Sequence, residues 1–191
     1  VRYDRDTRYF ADPYQGLPRE GFTALFERMI SHPNITLRLD TEYPRDTASQ
    51  RYRQLIYTGP IDAFFDYACG PLPYRSLVFE FATLDTEWFQ PVGVVNYPNE
   101  EDYTRITEFK HLYCQPHPKT TVCYECSAAE GPPYYPIPTH ANRRLYQAYR
   151  ARADALDDVY FLGRLAQYEY LNLDQVVGRA LELYDRIRAR D

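Results

Sequence analysis

Four runs in the middle of the chain, residues 75–83, 92–97, 105–113 and 120–126, are rich in β-branched and aromatic residues and are separated by turn chemistry. Consecutive short strands joined by polar turns argue an antiparallel sheet. Alternation puts Arg75 on the face of Leu77, Phe79 and Phe81, and Arg105 on the face of Thr107, Phe109 and His111. An arginine on an aromatic-lined face is costly to bury without an anion. Both are therefore candidate anion ligands; the other reading pairs each with Glu80, Glu87 or Glu108 across strands. After the last strand, Gly131-Pro132-Pro133-Tyr134-Tyr135-Pro136 is an extended segment whose prolines restrict their neighbours and hold two tyrosine rings in place.

The sheet is bracketed by helical and mixed segments. Before it, Phe22, Leu25, Phe26, Met29 and Ile30 make a helical stripe expected to face a core, stopped by Ser31-His32-Pro33-Asn34. Ile35, Leu37 and Leu39 alternate as a short strand, residues 54–58 make another that enters Gly59-Pro60, and Ile61, Phe64 and Phe65 suggest a short helix. Residues 1–16 read as a loop passing near a site. After the sheet, a helix from about Thr139, a plausible N-cap, carries Leu145, Ala148, Tyr149 and Leu156. A strand at residues 159–162 then turns at Gly163, and from Leu173 apolar residues recur at helical spacing through Val177, Ala180, Leu181, Tyr184 and Ile187. In open α/β sheets ligands sit beyond the carboxyl ends of strands, so Arg164, Tyr168 and Tyr170 are placed for a phosphorylated ligand; the plainer reading is an αβ corner with aromatic packing.

Twenty of the 22 basic residues are arginine, against Lys110 and Lys119, and there are 20 tyrosines. Arginine offers bidentate contacts to phosphate and tyrosine a stacking face with a hydroxyl, a combination suited to a sugar nucleotide, although codon bias also explains the bulk ratio. A net charge of -5 without a basic block argues against broad nucleic-acid binding, so any anion site is local. No apolar run approaches membrane-spanning length and the start at Val1 has no signal-peptide character, which reads as a soluble cytoplasmic protein or a piece of a longer one. Cys69, Cys114, Cys123 and Cys126 are expected as reduced thiols. His111-x2-Cys114 and Cys123-x2-Cys126 have zinc-ligand spacing, but on strands residues three apart point to opposite faces, and no metal site is assigned.

The ordered set Tyr9-Phe10, Tyr14-Gln15-Gly16, Tyr57-Thr58-Gly59-Pro60-Ile61-Asp62, Tyr74-Arg75-Ser76-Leu77, Tyr103-Thr104-Arg105-Ile106, Lys110-His111, Pro133-Tyr134-Tyr135-Pro136 and Gly163-Arg164-Leu165-Ala166 resembles the C-terminal half of UDP-galactopyranose mutases over nearly the whole chain. The resemblance implies a flavoenzyme that interconverts UDP-galactopyranose and UDP-galactofuranose. Reduced FAD carries the chemistry through its N5, and no catalytic side chain is assigned. It also implies an antiparallel sheet domain plus the C-terminal part of a Rossmann-like FAD-binding domain. Residues 1–17 would end a mobile substrate loop, 18–70 and 138–191 would belong to the FAD-binding domain, and 71–137 would form the substrate sheet.

Carried over by position, Arg105 resembles the arginine on the substrate diphosphate and Arg75 a second one in the same site. Tyr9, Tyr134, Tyr135 and Tyr170 resemble tyrosines around diphosphate and sugar, and Asn96, Glu125 and Asn172 polar groups there. Thr58, Gly59, Pro60, Gly163, Arg164 and Leu173 resemble the cofactor-binding set. Asn172 stands where the family usually has Asp, which puts a role needing a carboxylate in doubt, and Gln167 also departs. The family's N-terminal G-x-G-x-x-G turn and its uracil-stacking region are not in this sequence. The chain by itself is therefore expected neither to retain FAD tightly nor to turn over substrate. A non-catalytic fragment binding nucleotide sugar weakly and a zinc-stapled module on residues 105–126 are the alternatives. A homodimer is expected by analogy alone, and exposed apolar surface is expected to favour self-association.

Overall fold

The computed structural model describes residues 12–41, 52–99 and 101–190. Tyr9 and most of the expected loop at residues 1–16 lie outside them. The elements run α1 (Gly21–Ile30), β1 (Leu55–Tyr57), α2 (Ile61–Phe64), β2 (Tyr74–Leu84), β3 (Val94–Asn96), β4 (Arg105–Glu108), α3 (Phe109–Tyr113), β5 (Thr120–Ala128), β6 (Tyr135–Pro136), α4 (His140–Ala153), β7 (Val159–Phe161) and α5 (Leu173–Arg188). Five strands form an antiparallel sheet in the order β3-β4-β5-β2-β6, and β1 pairs in parallel with β7 in a separate two-stranded sheet. The architecture is mixed α+β, and none of the described helices is long and apolar enough to cross a membrane.

The antiparallel sheet is built as alternation demands. Asn96, Arg105, Glu125 and Phe79 occupy one transverse row across four strands, as successive register partners. Val94, Thr107, Cys123 and Phe81 occupy a parallel row on the same face. The opposite face carries Ile106, Val122, Glu108 and Thr120, all buried. The double-tyrosine segment joins as the fifth strand, with Arg75 opposite Tyr135.

The main core lies between the parallel pair and α4. Ile61, Leu72, Tyr149, Ala153, Phe161, Ala166 and Tyr168 are buried together, with Phe64 and Phe65 packed edge-on and stacked against Phe161. Hydroxyls buried here find backbone partners, as they must where water is excluded. Tyr149 donates to Gly70 O at 2.7 Å and accepts from Cys69 N–H at 3.0 Å. Tyr168 donates to Pro73 O at 2.6 Å. Thr139 caps α4 as its sequence position predicts, accepting from Asn142 N–H at 3.2 Å.

Four expectations are corrected. Residues 35–39 form no strand, and Ile35, Leu37 and Leu39 are exposed, so their alternation meets no strand to pair with among the described residues. The run 105–113 is a strand only to Glu108, beyond which α3 ends on Cys114 in the left-handed region (φ 50°). Phe109 still stacks on Phe81 of the Arg105 face, with centroids 6.2 Å apart, whereas His111 turns to Glu108 and Gln90 O on the other face and does not continue it. The partners that bend this run lie far along the chain, at residues 87–90 and 117–120, where local alternation cannot register them. The helix carrying Tyr149 ends at Ala153, before Leu156. The apolar stripe of α1 buries no residue, because periodicity fixes the helix and not what covers it.

Candidate functional site

The transverse row is also a polar chain. Arg105 Nε donates to Asn96 Oδ1 at 3.0 Å and its Nη1 lies 3.5 Å from Glu125 Oε2. These three expected substrate residues are thus brought together by strand register alone. The cross-strand ion pair is real, but with Glu125 rather than Glu80, Glu87 or Glu108. Next in the row, Phe79 packs edge-on to Tyr134 with ring centroids 5.7 Å apart. Phe79 links the sheet row to the tyrosine segment, a role given it by its register with Glu125 and not singled out from sequence. Arg75 is exposed near that segment, and its carbonyl accepts from Tyr134 N–H at 3.0 Å.

A second cluster forms where β6 meets the turn after β7. Tyr135 and Tyr170 stack with centroids 5.6 Å apart, and the Arg164 guanidinium lies 4.9 Å and 4.8 Å from the two rings. Its Nη2 and Nε donate to Leu171 O at 2.6 and 3.2 Å, and Nη1 donates to Tyr134 O at 3.3 Å. Three of its five N–H donors are thus committed to backbone carbonyls. Arg164 ties Tyr134, Tyr135, Tyr170 and Leu171 into one aromatic corner, while Tyr168, expected beside it for a ligand, is buried in the core with its hydroxyl on Pro73 O and Ile137. Asn172 is the N-cap of α5, and Gln175 accepts from its backbone N–H at 2.8 Å in a capping box. An N-cap is served as well by Asn as by Asp, which gives the departure at this position a local physical basis.

Thr58, Gly59, Pro60, Gly163 and Arg164 follow the carboxyl ends of the two parallel strands, where Leu162 N–H donates to Tyr57 O at 3.0 Å. A Cβ at Gly59 would stand 2.6 Å from Tyr57 Oη, so any larger residue there would have to displace that ring. Gly163 is required by its backbone, at φ +93°, while the space around its missing Cβ is open to 4 Å. Leu173 begins α5 and is more than half exposed.

Sequence reasoning missed Glu108. This carboxylate is fully buried, with Oε1 accepting from Thr120 Oγ1 at 2.6 Å and Phe89 N–H at 3.0 Å, and Oε2 from Gln90 N–H at 2.9 Å. Burial alone would raise its pKa, but the hydrogen bonds from Thr120, Gln90 and Phe89, and then the nearby His111, outweigh it and hold the carboxyl below its ordinary range. Nothing in the flanking residues marks Glu108 as buried. Lys110 is also buried, its ammonium donating to Glu87 O and His117 O and lying 4.5 Å from the Trp88 ring. The zinc reading loses its ligands: His111 Nε2 sits 2.8 Å from Gln90 O, and Cys114 is exposed at the end of α3. Among the described residues no three His, Cys, Asp or Glu side chains converge as a metal site.

An antiparallel sheet bearing an arginine row, joined to an arginine–tyrosine corner on a parallel strand pair, defines a candidate binding face for an anionic, ring-bearing ligand. The chain belongs to the UDP-galactopyranose mutase family, whose model matches residues 1–170. It is 35% identical over 193 residues to the dTDP-fucopyranose mutase of Escherichia coli, covering 95% of this chain and 51% of that protein. It is 36% identical over 190 residues to a probable UDP-galactopyranose mutase of Klebsiella pneumoniae, covering 97% and 49%. With the UDP-galactopyranose mutase of Mycoplasma pneumoniae it shares 33% identity over 187 residues, covering 87% and 46%. The chain spans about half the length of the curated relatives it matches.

Proposed function

We propose that this chain supplies the substrate face and part of the cofactor corner of an isomerase interconverting UDP-galactopyranose and UDP-galactofuranose. The observation that carries the reading is the Asn96–Arg105–Glu125 row, which holds a partly exposed guanidinium in a fixed orientation. Arg105 and Arg75 bind the diphosphate, for which guanidinium geometry is suited. Tyr134, Tyr135 and Tyr170 wall the sugar, with Tyr9 assigned to the same ligand by position alone. Asn96 and Glu125 orient Arg105, and Asn172 fixes the start of α5.

Two observations at the carboxyl ends of β1 and β7 support a cofactor reading: nothing lies within 4 Å of where a Gly163 Cβ would stand, and α5 begins ten residues further on. Thr58, Gly59, Pro60, Gly163, Arg164 and Leu173 would hold that end of FAD, as part of a Rossmann-like domain. Reduced FAD, when bound, supplies the nucleophilic nitrogen for the ring interconversion. This chain's own residues bind the diphosphate, orient the sugar and stabilise charge, and turnover belongs to the full-length enzyme.

Titration calorimetry of the chain with UDP, at low and moderate salt, tests the assignment. Binding at millimolar strength or tighter that is lost in Arg105→Ala supports it, and heat that survives that substitution refutes it. Because a relative of similar identity is named for a dTDP sugar, dTDP is titrated alongside to rank the two nucleotides.

A further inference from the structure

We propose that Glu108 is a positioning residue for the substrate face, holding the loop that sets β3 and thereby the meeting of Asn96 with Arg105. This rests on the assignment of Arg105 to the diphosphate.

The loop from Asp85 to Gly93 connects β2 to β3 across the face opposite the arginine row. Its middle is fastened by one carboxylate, which accepts from the backbone of Phe89 and Gln90 on the loop and from Thr120 on β5, beside the Lys110 ammonium on Glu87 O and His111 Nε2 at Gln90 O. The Glu108 backbone N–H then donates to Gly93 O at 2.8 Å, the residue before β3 begins. The Gln90 side chain continues the fastening, with Nε2 donating to Val92 O at 2.8 Å. β3 itself is a three-residue edge strand paired with β4 alone, held beyond Asn96 by Tyr97 N–H donating to Thr104 O at 2.9 Å, so its ladder is short and its Gly93 end depends on the loop. Asn96 in turn accepts from Arg105 Nε. One buried carboxylate is thus linked to the orientation of the guanidinium on the other face of the same sheet.

The role needs a carboxylate. Every hydrogen bond received by Glu108 comes from a donor, so an amide in its place would set an NH2 group against at least one backbone N–H. The titratable side chains around it are His111, whose Nε2 lies 3.3 Å from Oε2, and Lys110, whose ammonium is turned to the Glu87 and His117 carbonyls. His111 adds to the loop anchoring through Gln90 O.

The test uses the 191-residue chain and two variants, Glu108→Gln and Thr120→Val, the second removing one donor while keeping the charge. Nitrogen-15 spectra follow the Phe89 and Gln90 amides, the Asn96 side-chain amide and Arg105 Nε–H, with Arg164 Nε–H as control; UDP affinity is measured on the same samples. In the expected result the loop amides, Asn96 and Arg105 shift together while Arg164 stays. UDP binding then weakens by roughly tenfold in Glu108→Gln, the scale of one lost charged hydrogen bond, and by less in Thr120→Val. Loop amides that move while Asn96 and Arg105 stay overturn the proposal, as does unchanged UDP affinity with the loop displaced. If the parent chain does not bind UDP, the functional assignment fails, yet the spectra still decide whether Glu108 sets the Asn96–Arg105 pair. If Glu108→Gln does not fold, Thr120→Val decides the same question.

Discussion

Replacing Arg164 by lysine keeps the charge and removes the fork, which isolates what the guanidinium geometry contributes. Arg164 makes one short hydrogen bond to Leu171 O, a longer one to the same oxygen and a third to Tyr134 O, and it lies over two rings. A lysine ammonium replaces at most one of these carbonyl contacts from the same backbone position. The two longer bonds, at 3.2 and 3.3 Å, fall below the usual range for charged donors, about 1 kcal/mol each in this half-buried setting. Weaker cation–π contact adds roughly 0.5–1 kcal/mol. The expected loss is therefore about 2–3 kcal/mol. With a urea dependence of about 2 kcal/mol per molar, the unfolding midpoint falls by about 1 M while the slope is unchanged. Tyr135→Leu in the same background loses less than it does alone, since the ring's cation is already displaced. A lysine variant within about 0.5 kcal/mol of the parent would refute the claim that the fork organises this corner.

Tyr149→Phe deletes the hydroxyl that joins Cys69 N–H to Gly70 O and leaves two groups unpaired, so thermal unfolding is expected to show a loss of about 2 kcal/mol. Thiol labelling is expected to reach exposed Cys114 first and Cys123 last, because burial, then Glu125 and Cys126, push the Cys123 thiol up and keep it protonated; equal rates would contradict its burial. Glu108 has a depressed folded pKa, so its contribution is complete above the unfolded value of about 4.3 and is lost as pH falls through the lower folded value. Acid denaturation of Glu108→Gln is accordingly expected to be shallower than that of the parent, and parallel curves would contradict this.

What was legible in the sequence is what period and punctuation encode. The strand pattern of residues 75–83 and 120–126 was plain, and so were Thr139 as a cap and Gly163 as a turn, because each depends on neighbours within a few residues. The grouping of Asn96, Arg105 and Glu125 was legible only through family resemblance, since register between partners nine and twenty positions apart leaves no local mark. The Glu108 anchor was not legible, because a glutamate amid β-formers looks like a solvated position until the loop from residue 85 closes over it. The false strand at Ile35–Leu39 is the converse: three residues alternate correctly and find no edge to pair with among the described residues. The exposed Leu173, Val177, Leu181 and Tyr184 show the same limit on a helix, where spacing was right and the covering surface was not given by it.

Arg105, which the family resemblance implies on the diphosphate, and Arg164, which it implies beside the cofactor, are held in opposite ways, and that difference decides which one an anion can recruit. Arg164 has three donors fixed on carbonyls inside an aromatic corner, so a ligand reaching it would have to compete with contacts that hold Tyr134, Tyr135 and Leu171 together. Arg105 makes one good side-chain hydrogen bond and one long, partly exposed ion pair, which water already weakens. Its guanidinium is oriented without being saturated. A diphosphate supplies a stronger acceptor than Glu125 does at 3.5 Å, and exposed Arg75 adds positive charge on the same sheet face. Substitution at Arg105 is therefore expected to move ligand affinity with little change in stability, and substitution at Arg164 to move stability first. That division follows from donor geometry alone.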